Sequence, residues 1–309
     1  MGYNATAPAP LTKRLIIDML ISNHQLTQEQ YLEVSALAGR CRQQDGNTIP
    51  IFGNVLMQYR TFPSNLLYYH EQNLIGFLSA FFFYENACEL TLMVDPNWRR
   101  QHIASQLIAS VAPILEPRDL EYILCPSPSG LNNDWLMQRG LQYNNSEVQM
   151  RWEGKHIPTY NHADMTISSV TNEEDISMLA DIDVICFNTN KSEMELRYAR
   201  LLSDPTYNLI ILRRNQQPIG KAHLHLEIDQ IQLSDIAVLP DFQGQGFGQA
   251  LVAYSIEHAH NSSHLPLILD VDLKNLNALH IYQKLGFKSI NAWDYWVMNA
   301  SRFLQPFIA

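Results

Sequence analysis

A chain of 309 residues with 46% hydrophobic and 17% charged residues is long enough for two domains of about 150 residues, each with its own core. The net charge of −10 is weighted to the second half; it argues against nucleic acid as a partner and fits a cationic acceptor, although a generally acidic surface accounts for it equally well. No apolar run reaches about 18 residues, so no membrane span is expected, and Leu15-Ile16-Ile17 meets Asp18 too soon to form a signal-peptide core. Cys41, Cys88, Cys125 and Cys186 stand far apart without CxxC or Cys/His spacing, and they read as reduced, mostly buried thiols. Met1-Gly2-Tyr3-Asn4-Ala5-Thr6 matches the short myristoylation pattern, for which chance is the simpler explanation.

Taken in chain order, residues 11–42 are expected to be helical. Asn65-Leu66-Leu67 and Leu74-Ile75-Gly76 then mark a pair of strands, and a further run ends at Val94. A polar joint containing Pro158 falls between Gly154 and His162. Residues 172–202 are again expected to be helical, followed by the strand pair Asn208-Leu209-Ile210 and Pro218-Ile219-Gly220. Leu233-Ser234-Asp235-Ile236-Ala237-Val238 reads as a strand leading through Pro240 into the glycine-rich run Gln243-Gly244-Gln245-Gly246-Phe247-Gly248 and an amphipathic helix. His258 and His260, with His264 nearby, suit that helix's C-terminal end better than a metal site, and no metal is expected. Leu267-Ile268-Leu269-Asp270-Val271 reads as a buried strand, and Asn275 to Leu285 as a helix stopped by Gly286. This order predicts the α/β class: in each half a mixed, largely antiparallel sheet flanked by helices on both faces.

A strand, a glycine loop and a helix N-terminus together present free backbone N–H groups to a phosphate or pyrophosphate. A P-loop needs Gly-Lys followed by Ser or Thr, and Gln249 follows Gly248. Gly244, Gly246 and Gly248 also have the wrong spacing for a dinucleotide fingerprint. The remaining pattern is Q/R-x-x-G-x-G/A, with Gln243, Gly246 and Gly248 in register. Together with Asn275, Ala278, Tyr282 and Gly286-Phe287 downstream, it resembles the acyl-CoA loop and last helix of the GNAT N-acetyltransferases.

The pattern occurs twice. Residues 94–104 lie over 238–248 without a gap, and Leu136 to Leu141 echoes Tyr282 to Phe287. The chain therefore resembles two GNAT domains in tandem, divided here as 1–155 and 164–309. The first copy departs from the pattern where His102 stands for Gly246, Leu136 for Tyr282, Leu124 for Asp270 and Ser129 for Asn275. It reads as a degenerate half with a supporting role and a possible protein partner of its own. Arg99 and Arg100 suit either an anion or a solvated face.

The resemblance implies acetyl transfer from acetyl-CoA to a primary amine of a peptide, protein or small molecule, in the second half. It places the pyrophosphate on the amides of Gln243, Gly244, Gln245, Gly246, Phe247 and Gly248. The pantetheine arm would lie along Ile236, Ala237 and Val238, and Asn275 would contact the cofactor arm, cap the helix, or do both. Tyr282 takes the place of the family's catalytic acid; a core tyrosine is the plain alternative. For the base, Asp270 is the first candidate. Many family members carry a Glu where Gln232 stands, Asp235 points to the other side of its strand, and a water chain is a further choice. By composition the chain resembles the VipF-like tandem effectors of Legionella, which implies a bacterial cytoplasmic protein or one delivered into a host cell. A CoA-binding interaction protein with little catalysis remains the other reading.

Overall fold

The computed structural model describes residues 18–84, 86–160 and 164–305. In chain order, the first half contains β1 (Asp18–Asn23), α1 (Gln28–Asp45), α2 (Gly53–Leu56), β2 (Asn65–His70), β3 (Asn73–Tyr84), β4 (Ala87–Val94), α3 (Ile103–Leu115), β5 (Tyr122–Pro128), α4 (Asn133–Gln138) and β6 (Gln142–Trp152). The second contains β7 (Met165–Ser169), α5 (Glu174–Phe187), α6 (Lys191–Ser203), β8 (Tyr207–Arg214), β9 (Gln217–Leu226), β10 (Ile231–Val238), α7 (Phe247–Ser262), β11 (Leu267–Asp272), α8 (Leu276–Lys284), β12 (Phe287–Asn299) and α9 (Ala300–Leu304).

The helix expected over residues 11–42 is shorter and starts later. Residues 18–23 form an edge strand paired antiparallel with β2. Helix α1 begins where local chemistry permits, at a capping box in which Thr27 and Gln30 satisfy each other's backbone N–H. The myristoylation pattern at Met1–Thr6 and the run Leu15-Ile16-Ile17 lie outside the described residues.

The strands form one sheet in the order β1-β2-β3-β4-β5-β12-β6-β11-β10-β9-β8-β7. Among the described residues, only the β4/β5 and β10/β11 pairs are parallel. One face carries α1, packed on Leu67, Phe77 and Met93, and α5 and α6, packed on Leu209 and Ile211. The other carries α3, packed on Leu78 and Ala80, and α7, packed on Ala222, Leu233 and Leu269. Period-two alternation of apolar residues along each strand serves both layers at once.

The two halves exchange their last strands. β6 of the first half pairs with β11 of the second, β12 of the second pairs with β5 of the first, and β6 and β12 pair with each other at the centre. Trp293, fully buried on β12, thus sits opposite Pro128 on one side and Glu147 on the other. A fragment of residues 1–155 would leave β5 with an open edge and β6 without either neighbour, a template for self-association. Expressed alone it should migrate as multimers on size exclusion. Co-expression with residues 164–309 should recover a discrete complex. A monomeric fragment with a cooperative melt would show that the exchanged strands are dispensable.

Candidate active site

The glycine run opens α7 as its spacing requires. A short 3₁₀ turn, Pro240–Phe242, ends β10, and Gln243 Nε2 donates to Val238 O at 2.9 Å, tying the loop to the strand end. Gly244 (φ 72°) and Gly246 (φ 89°) are left-handed, and Gly246 is the residue before the first helical turn. A Cβ at Gly244 would meet nothing within 4 Å, and one at Gly248 would meet only Ile281 and Val238 at 3.8 and 3.9 Å, an ordinary contact. Protein packing therefore does not demand a glycine at 248; the bare backbone leaves room for a group outside the chain. Gln245 donates to Asp241 O at 3.0 Å and accepts from Arg214 at 3.3 Å, which brings a cation to the loop. Phe247 turns inward, packing edge-on to Phe242.

The strands beside the loop separate. β10 and β11 pair only at Ile231↔Leu267 and Gln232↔Ile268, so the β10 backbone beyond Gln232 has no strand partner on that side. A bulge between Ser234 and Ala237 against β9 accompanies the divergence, with Asp235 at φ 51°. The result is a wedge-shaped opening whose wall contains the amides of Ile236, Ala237 and Val238.

Tyr282 and Asp270 reach this region from opposite faces of the sheet. Tyr282, from α8, is buried among Leu233, Leu269 and Val271 with its ring against Phe287. Burial pushes its phenol up to about 12, so it holds its proton at neutral pH, and its hydroxyl makes no hydrogen bond to a described residue. Asp270, from β11, accepts a hydrogen bond from Gln232 Nε2 at 3.2 Å. Its Oδ1 and Gln232 Oε1 are both solvent-inaccessible and without a donor. Burial raises its carboxyl to about 7, with Glu147 adding to the shift, while Gln149 and Gln232 oppose it. Asn275 caps α8, accepting from Ala278 N at 3.2 Å through Oδ1. Asp235 faces α6, where Arg197 Nη2 donates to it at 2.9 Å; it does not enter the opening.

Sequence comparison missed two carboxylates. The gapless overlay set Glu89 against Leu233. The bulge adds one residue to β10, however, and the ladders then align Glu89↔Leu124 with Gln232↔Ile268. Glu89 lines a cavity of about 420 Å³ with Glu147, Thr91, Tyr295, Phe81 and Phe52. Burial raises Glu89 to about 7. Glu147 reaches the neighbourhood of Asp270 because the strand exchange places β6 beside β11. Nothing local in the sequence announces either position.

In the first half the loop keeps its backbone shape, and β4 and β5 likewise pair only from Ala87↔Tyr122 to Glu89↔Leu124, but side chains replace the glycines. Arg100 and His102 both take φ 62°, close to the angles of Gly244 and Gly246, and carry side chains there. Arg99 Nε donates to Val94 O at 3.2 Å, as Gln243 does to Val238 O, and its guanidinium forms two hydrogen bonds to Asp45 at 2.6 and 2.8 Å. The β3/β4 ladder runs from Phe81↔Glu89 to Gly76↔Val94 without a bulge. Leu136 is buried in an apolar cluster with Trp296 and Met298.

The description Acetyltransferase (GNAT) family matches this chain twice, over residues 34–132 and 176–287. The chain belongs to that family and is a tandem GNAT N-acetyltransferase by class. Among curated relatives, it is 34% identical over 76 residues to the [ribosomal protein bS18]-alanine N-acetyltransferase of Escherichia coli (strain K12), covering 25% of this chain and 51% of that enzyme. It is 32% identical over 105 residues to the Haemophilus influenzae enzyme of the same name, covering 34% of this chain and 65% of the relative. A mycothiol acetyltransferase of Paenarthrobacter aurescens is 31% identical over 116 residues, 35% of this chain and 34% of that one. The chain thus spans between a third and two thirds of these three relatives. A tandem GNAT protein from the clavulanic acid biosynthesis pathway superposes with TM-score 0.70 at 11% identity, over 92% of this chain and 99% of that one. A GCN5-related N-acetyltransferase from Sphaerobacter thermophilus superposes with TM-score 0.74 at 10% identity, over 91% and 96%. Both share the fold across nearly the whole length.

Proposed function

We propose that the second half transfers an acetyl group from acetyl-CoA to a primary amine of a peptide, protein or small molecule. The observation that carries this reading is the opening between β10 and β11, entered by the glycine loop and flanked by Tyr282 and Asp270. The residues fit an acyl-CoA: a helix N-terminus with bare glycine backbone for the pyrophosphate, and unpaired strand amides for the pantetheine arm. Acetyl-CoA supplies an activated thioester. The amides of Gln243 to Gly248 bind its phosphates, with Arg214 adding charge, and Ile236 to Val238 orient the arm. Asn275 is the remaining contact to the arm, through the amide nitrogen its cap leaves over.

The chain then moves two protons. An amine arrives as ammonium and must lose a proton before it attacks. Asp270, raised to about 7, is half ionised near neutrality and takes that proton once deprotonated. Tyr282 holds its proton and gives it to the departing sulfur. An N–H from the bulge meets the negative charge that develops on the thioester oxygen.

The experiment is release of free thiol from acetyl-CoA across a panel of amines. The panel should begin with an N-terminal alanine peptide, the group named in the bS18 enzymes. Turnover with any amine supports the reading. Tight CoA binding without thiol release would favour an interaction protein, for which Gln232 at the family's frequent carboxylate position is the supporting observation. Gly246→Val tests the loop: a β-branched residue cannot hold φ 89° without strain. It should raise KM for acetyl-CoA at least roughly tenfold and lower the melting temperature by a few degrees, since a strained left-handed residue costs of order 1–3 kcal/mol and Phe247 beside it packs into the core.

A further inference from the structure

The bulge of β10 is held by charge. Asp235 sits at its apex with φ 51°, a conformation uncommon for a residue with a side chain. Its carboxylate meets three basic groups. Arg197 Nη2 of α6 donates to Oδ2 at 2.9 Å, His223 Nδ1 of β9 lies 3.0 Å from the same oxygen, and Lys221 Nζ lies 3.9 Å from Oδ1. Lys221 is fully buried and is secured by Asp183 Oδ1 at 2.5 Å and by the Tyr198 hydroxyl, to which it donates at 2.7 Å. Tyr198 in turn donates to Asp183. Burial of Asp235 opposes ionisation, but His223, Lys221 and Arg197 outweigh it and hold the carboxyl well below the usual range. Burial keeps His223 below its ordinary value, and neither of its ring nitrogens makes a hydrogen bond of good geometry, so it closes the cluster by contact while Arg197 and Lys221 supply the charge.

The first half is an internal control. Its ladder places Phe77 where Lys221 stands and Ser79 where His223 stands. Both basic groups are missing there, and so is the bulge. Clamp and bulge occur together in the second half and are absent together from the matching positions of the first.

We propose that Asp235 is a positioning residue for acyl transfer: clamped by Arg197, His223 and Lys221, it fixes the bulge so that the amides of Ile236–Val238 face the thioester oxygen. This rests on the acetyltransferase reading. Asp235→Asn keeps a side chain that tolerates a left-handed backbone, and Asp235→Gly removes the strain altogether; neither keeps the negative charge that the clamp holds. If the clamp positions the amides, both variants lose roughly ten- to a hundred-fold in kcat per bound acetyl-CoA, while KM for acetyl-CoA stays within about twofold. The signal of [1-13C]acetyl-CoA bound to them moves back toward that of the free thioester, because the carbonyl is no longer polarised. Arg197→Gln, at a half-exposed position, should show the same change to a smaller degree, and it carries the test if the Asp235 variants do not fold. Wild-type kcat and an unchanged carbonyl shift in Arg197→Gln and the folded Asp235 variants would overturn the clamp. Should the wild-type protein bind acetyl-CoA yet release no thiol with any amine, the acetyltransferase reading fails, and the carbonyl shift still decides for or against the clamp.

Discussion

Tyr282→Phe should lower kcat by roughly a hundredfold or more, with KM for acetyl-CoA nearly unchanged. The substitution removes one oxygen and leaves the ring in its apolar setting against Phe287, so packing changes little. The hydroxyl has no hydrogen-bond partner among the described residues, so no buried group is orphaned by its loss. A phenol raised to about 12 is a proton donor throughout the neutral range, and no titration of Tyr282 should show in the pH profile below pH 9 or so. The check is steady-state thiol release for both proteins, with thermal melts alongside. A variant with wild-type kcat would return Tyr282 to the status of a core residue.

Asp270→Asn is expected to cost roughly a hundredfold in kcat/KM and to remove a limb from the pH profile. In the wild-type protein the carboxyl titrates near 7, so kcat/KM should rise with pH through that value as the base form appears. Without the carboxylate the inflection near 7 should disappear, leaving only the rise set by the acceptor amine's own ionisation. Stability moves the other way. The folded pKa lies above the unfolded value of about 3.9, so ionisation of Asp270 favours the unfolded chain as pH climbs from about 4 to about 7. The melting temperature of Asp270→Asn should therefore exceed that of wild type at pH 8, and the gap should close below about pH 4. An unchanged rate and profile would remove Asp270 from the mechanism and leave a water chain as the route for the proton.

The parts of the site that were legible in the sequence are those that depend on neighbours in the chain. A glycine at a left-handed position, a helix start three residues later and a tyrosine seven residues after an asparagine are all local requirements, so residues 243–248, Asn275 and Tyr282 could be read directly. The repeat was equally visible, because Val94 to Ala104 keeps the length and apolar pattern of Val238 to Gly248. Three features were not. Residues 18–23 lie close to a strong helix signal and form a strand only because β2 offers an edge. The bulge at Asp235 shifts the register by one residue, which hides the correspondence of Glu89 with Gln232 from any gapless comparison. Strand exchange is a choice between two similar partners, made by contacts more than 100 residues apart, such as Trp293 with Glu147. No periodicity distinguishes the swapped pairing from the unswapped one.

That exchange has a bearing on how such a chain could change over generations. The first half carries Arg100, His102 and Leu136 where the second has Gly244, Gly246 and Tyr282, and a free-standing domain without a site of its own would be open to deletion. Here truncation would also take away β6, the strand that lies directly against β11 and brings Glu147 and Gln149 alongside Asp270. It would strip β12 of one of its two neighbours as well. Interlacing of this kind ties the second half to the first, and it predicts a lineage in which the front half drifts in detail while its final strand is retained.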